Sequence, residues 1–408
     1  MRGPRSSSWR FAAVLAGVAL AAGAQTKSAP PDPYTGGDPD ALTRAGYVAV
    51  GSFDCVVHTT ADVEELLGDE TLAWIETAHF RLGCALSPVA TGRGDREWKT
   101  AVKAELTRLA ERLPNVKPSV RTLDPWLRAH LVAQRLEELY AEVQQSLGVR
   151  DADFPATPMD PRTAPAEYMG EGPYLGMREK FVVVVVKRTA SNARYTRKYA
   201  GHEADHPLRI YFPGGVTLGV CAPEEYNKGQ LANDLVLQVH LAYNVVANLL
   251  NAYRSYGHEV PPWLSLGMAH WYARRVSPRY PIYDIRDERE REDSAFWKWD
   301  DRALGLMKND VFEPLDELLA RRDSTKFGME QHIQAWFFVD YLMHARREEL
   351  ARFVRSFKDP LHERQRSPTP EELLARQAEC FRSAFGVEPA ELEVEWRERT
   401  RKLAHRRG

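Results

Sequence analysis

Residues 229–276 read GQLANDLVLQVHLAYNVVANLLNAYRSYGHEVPPWLSLGMAHWYARRV, and this stretch decides the fold. Its first half carries Leu231, Leu235, Val239, Ala242, Val246, Leu249 and Tyr253 at steps of three or four, the stripe of a helix buried along one side. His240 and Asn244 stand four apart and share a face beside that stripe. After a short connection, Pro261 and Pro262 open a second helix, where proline suits the first turn. That helix runs through Trp263, Leu266 and His270.

Upstream the period changes. Phe181 to Lys187, Leu208 to Phe212 and Val216 to Cys221 read as strands separated by turn formers such as Pro213-Gly214-Gly215. Before them, Asp151 to Gly176 is rich in proline and glycine and reads as a long loop. Earlier still, Asp95 to Arg112 and Leu123 to Leu147 read as helices, and Trp74 to Gly83 as a lead-in with a short strand. From about Glu224 onward the chain reads helical, broken by the two prolines, by the charged run Arg286 to Asp293 and by the loop Lys358 to Pro370. The expected partition is a leader over 1–24, a flexible N-terminus over 25–46, an N-terminal α+β region over 47–150, the loop over 151–176, and a region over 177–408 with the two central helices and a helical C-terminal part.

Arg2, Arg5 and Arg10 precede an apolar run from Phe11 that ends in Ala22-Gly23-Ala24, the layout of a cleavable signal peptide. This predicts a secreted or periplasmic protein cut near Ala24. The run is short for a bilayer span, and no membrane span is expected in the mature chain. Formal net charge is −2, which offers no basic field for a nucleic acid. Of the four cysteines, Cys55 and Cys84 form the more local candidate disulfide; buried free thiols are the alternative.

The two helices carry His240-Leu241-Ala242-Tyr243-Asn244 and Trp263-Leu264-Ser265-Leu266-Gly267-Met268-Ala269. Together they resemble the peptidase-MA-like family of gluzincin metallopeptidases, found in many bacterial exported proteins. There one helix bears His-Glu-x-x-His and the next bears Trp-Leu-Ser-Glu-Gly-x-Ala, whose Glu is the third zinc ligand. His79-Phe80 looks like the family's opening strand, and Gln334 to Met343 like its downstream tyrosine-containing helix. The resemblance implies an α+β, zincin-like domain: a small mixed sheet packed on an active-site-type helix, with a mostly helical C-terminal half.

It also implies a degenerate site at His240, Leu241, Asn244 and Leu266. A zinc peptidase needs three protein ligands, an open position for water and a carboxylate base. Only His240 keeps the family's residue; Asn244 offers an amide, and Leu241 and Leu266 offer no donor. The expectation is therefore a pseudopeptidase with no cofactor, its remaining cleft binding a peptide or protein segment by strand addition.

A literal His-Glu-x-x-His does occur, at His202-Glu203-Ala204-Asp205-His206. It is polar throughout, lies between Gly201 and Pro207, and reads as an exposed charged loop. Two alternatives stay open. One is an active zinc metallopeptidase with its ligands relocated to His202 and His206, or to His240 and His270. The other is a structural envelope protein without a ligand. Arg194 to Tyr199 reads as a solvated amphipathic turn.

Overall fold

A computed structural model describes residues 30–55, 58–159, 168–212, 217–254, 257–280, 282, 297–359 and 368–407. The leader and the charged run Arg286 to Asp293 lie outside the described residues. In chain order the first elements are α1 (Pro39–Ala45), β1 (Tyr47–Val50), β2 (Asp54–Cys55), β3 (His58–Thr59), α2 (Thr60–Leu67), β4 (Ala73–Thr77), β5 (Phe80–Cys84), β6 (Val89–Ala90), α3 (Arg96–Arg112), β7 (Thr122–Leu123) and α4 (Pro125–Leu147). Then come β8 (Phe181–Val186), α5 (Thr189–Ala200), β9 (Leu208–Tyr211), β10 (Leu218–Pro223), the single turn α6 (Tyr226–Gly229), α7 (Asp234–Ala252) and α8 (Pro262–Val276). The rest is helical: α9 (Trp299–Lys308), α10 (Leu315–Ala320), α11 (Met329–Ala345), α12 (Arg347–Phe357), α13 (Pro370–Phe385) and α14 (Pro389–Arg407). The fold is mixed α+β, with a six-stranded mixed sheet.

The sheet runs β1-β4-β5-β8-β10-β9. Its two inner pairings, β5 with β8 and β8 with β10, are parallel, and the outer pairings are antiparallel. The strand Phe-Val-Val-Val-Val-Val belongs at the centre because all six of its residues are buried. Alternation sends Val183 and Val185 to one face, and Val182, Val184 and Val186 to the other. The first face packs on α4 and α7, which lead into the large helical core that also takes in α8 and α11 to α14. The second face is covered by α2 and α5 through Val63, Leu67 and Tyr195.

Local chemistry fixes the helix ends. Asp124 caps α4, Pro125 occupies its first turn, and Gly148 ends it in the left-handed region at φ 67°. Asn233 caps α7 by accepting from the backbone N–H groups of Leu235 and Val236. By length and composition α7 is apolar enough to cross a membrane, but here it is the core helix, buried for most of its length.

Several expectations change. The stretch Trp74 to Gly83 is not a lead-in and one strand but an antiparallel hairpin, β4 with β5. Arg194 to Tyr199 is no solvated turn: it belongs to α5, and Tyr195 is fully buried with its hydroxyl against His58. Residues 30–46, expected to be flexible, are docked. Asp32 meets the buried ring of His130, Trp126 donates to the carbonyl of Pro30, and Pro39–Ala45 forms a helix. The regions over 47–150 and 177–408 share one sheet and one core, because β5 pairs with β8 across the intervening loop.

Candidate functional site

The two central helices pack side by side, α7 against β10 and α4, and α8 against α7 and α11. Gly267 makes the last contact possible. A Cβ there would come within 2.6 Å of the Ala335 carbonyl oxygen and 2.5 Å of a Val339 methyl. The glycine of the Trp-Leu-Ser-Leu-Gly segment thus has a packing reason that needs no metal.

His240 projects from α7 toward Tyr226, their rings edge to face at 5.9 Å. Burial pushes its imidazole down to about 4, so the ring is neutral at neutral pH. Its Nδ1 is buried without a hydrogen-bond partner among the described residues. Asn244 turns its amide back on its own helix and donates to the His240 carbonyl at 2.9 Å. Leu241 is turned about 100° from His240 around the helix and lines a separate cavity between helices. Leu266 is buried in the main core. One imidazole, one self-satisfied amide and two leucines do not fit zinc.

The relocated-ligand alternatives gain no support from the geometry. His270 is fully buried, and its Nε2 lies 2.9 Å from Nδ1 of His332, with Tyr243 and Trp299 against its ring. His202 and His206 sit in bends after the end of α5 at Gly201, where spacing by four does not align two side chains. His202 is exposed, with Nδ1 near the Ala200 carbonyl; His206 faces Asp205, and Glu203 pairs with Arg197. Among the described residues no group of three or more His, Cys, Asp and Glu is placed to hold a metal. The candidate disulfide is not made: Cys84 is a free thiol, buried on β5, where desolvation pushes it up to about 12. The Cys55 side chain lies outside the described residues.

Sequence reasoning missed two groups of residues. His332 is one, on the first turns of α11 just ahead of the stretch read as the downstream helix. The other is a buried charge network at the start of α7. Asp234 accepts from both Arg135 and Trp98, Arg135 also binds Glu105, and Arg128 binds Glu224. Burial would raise the Asp234 carboxyl, but the two arginines and Trp98 hold it low. The available signal was an aspartate at the N-terminus of the most apolar helix.

On the other flank of α7 lies the sheet edge. β9 is hydrogen-bonded to β10 on one side only among the described strands. Tyr211 ties it to the helical layer, donating to Glu259 at 2.5 Å and accepting from Asn251 of α7 at 3.3 Å. No protein-family profile matches the chain, and neither a characterised protein nor a solved structure does so.

Proposed function

We propose that this is an exported, zincin-like protein in which zinc chemistry has lapsed, and that it holds an extended peptide or protein segment along the edge strand β9. One observation carries the reading: the helix bearing His240 and Asn244 follows the sheet and is tied at its far end, through Asn251 and Tyr211, to an antiparallel edge strand. Such an edge presents a row of backbone donors and acceptors to an incoming strand. Leucines at positions 241 and 266 leave no base and no third ligand, so a bound segment would be retained and not cut.

Two measurements test this. Elemental analysis of the purified mature protein is expected to find no stoichiometric zinc, and one tightly held zinc per chain would sink the proposal. Hydrogen exchange is expected to slow at the amides of Leu208–Tyr211 when an extended apolar peptide is added. Exchange there that no peptide alters would remove the binding role. Back-substitution adds a check on the fold likeness: the combined variant Leu241→Glu, Asn244→His, Leu266→Glu is expected to gain zinc. Should two added carboxylates prevent folding, Asn244→His alone restores an i, i+4 histidine pair, which is expected to bind zinc weakly.

A further inference from the structure

A second site lies on the other side of α7. Leu241, Gln238 and Ala242 line a cavity of about 300 Å³ between α3, α4, α7 and α8, and Gln238 stands roughly 160° around the helix from His240. The volume is at the small end of ligand sites and equals that of about ten liquid waters. Trp98 from α3, Leu136 from α4, Leu241 from α7 and Val276 from α8 supply apolar wall, and Glu105, Arg135, Glu138, Glu142 and Arg275 also line it.

The charges around it are already committed. Glu105 binds Arg135 at 2.7 Å, Glu142 binds Arg275 at 2.7 Å, and Glu138 binds Arg108 at 3.1 Å. A charged ligand would compete with these pairs, and separating the buried one, Glu105 with Arg135, would strand a charge away from water, which is unfavourable. Gln238 differs. It is half-buried, it lines the cavity, and its amide has no hydrogen-bond partner among the described residues. An amide can donate and accept at once, so it suits a neutral polar group.

We infer that this four-helix cavity binds a small uncharged amphiphile, with its apolar body between Trp98, Leu136 and Leu241 and its amide or hydroxyl end on Gln238. The site is independent of the β9 edge and of any metal. It also gives position 241 a positive use: a leucine there completes an apolar wall that a glutamate would spoil.

Octanamide is the probe, titrated calorimetrically into the mature protein beside octanoate and octylammonium. The expected result is one octanamide per chain, with both charged analogues at least tenfold weaker. Ala101→Trp places an indole at the mouth from an exposed position and is expected to weaken octanamide at least tenfold without altering the melting temperature. Ala242→Phe fills the cavity from α7 and serves if the first variant does not fold. The inference is overturned if octanamide fails to bind up to its solubility limit, if a folded filling variant binds as well as the parent, or if a charged analogue binds as tightly.

Discussion

At the scale of single residues, the pair His270 and His332 shows how burial sets chemistry. One ring must donate and the other accept across their 2.9 Å contact, so the accepting nitrogen carries no proton. Burial holds His332 down to about 4 and His270 well below the ordinary histidine range, with Arg274 adding repulsion at His270. In the unfolded chain both titrate near 6.5. The unfolded state therefore takes up protons first as pH falls, and stability declines from about pH 6.5 toward 4, reaching a loss on the order of 3 kcal/mol for His332 alone. Urea midpoints at pH 7 and pH 5 check this. The wild type is expected to lose stability at the lower pH, and His332→Phe to lose less, from a starting point lowered by about 1–3 kcal/mol because His270 is left unpaired. Equal wild-type midpoints at the two values would show that the pair is not buried and neutral. None of this was visible in the sequence: His270 could be placed on its helix by spacing, but its partner lies on an element far along the chain.

Elements were more legible where one face is buried. The stripe from Leu231 to Tyr253 located α7, and Pro261-Pro262 located the start of α8. The segment Trp263 to Ala269 was read by resemblance, and the structure supplies a physical reason for its glycine, the close approach of α8 to α11. That reason is testable. Gly267→Ala would gain up to about 1 kcal/mol of helix propensity and lose about 1–3 kcal/mol to overpacking against the Ala335 carbonyl. A net destabilisation of about 1–2 kcal/mol is expected by chemical denaturation. A variant as stable as the parent would mean that the helices lie further apart than described. Arg194 to Tyr199 shows the opposite limit. Its polar composition suggests a solvated turn, yet Tyr195 and Thr196 are buried, Tyr195 against the sheet's second face, and only tertiary contact fixes that.

The whole molecule depends on pairings that periodicity cannot report. The valine run of β8 announced a central strand, but its neighbour β5 comes from beyond the long loop, as Leu82↔Val183 and Cys84↔Val185 register. A proline- and glycine-rich passage resembles a domain boundary in composition, and here it joins two parts of one sheet instead. The charge network crosses the same divide: Arg128 and Arg135 of α4 neutralise Glu224 and Asp234. A fragment of residues 177–408 would keep β8, β10 and β9, lose β1, β4, β5 and α4, and leave two buried carboxylates without their guanidiniums. Unpaired buried charges and an uncovered central strand both work against folding. The fragment is expected to show no cooperative urea transition and no fixed aromatic signal in near-ultraviolet circular dichroism, whereas the chain from residue 25 onward shows both. A cooperative transition in the fragment would establish that the C-terminal region folds alone, and the hairpin and α4 would then be an accessory layer and not half of the core.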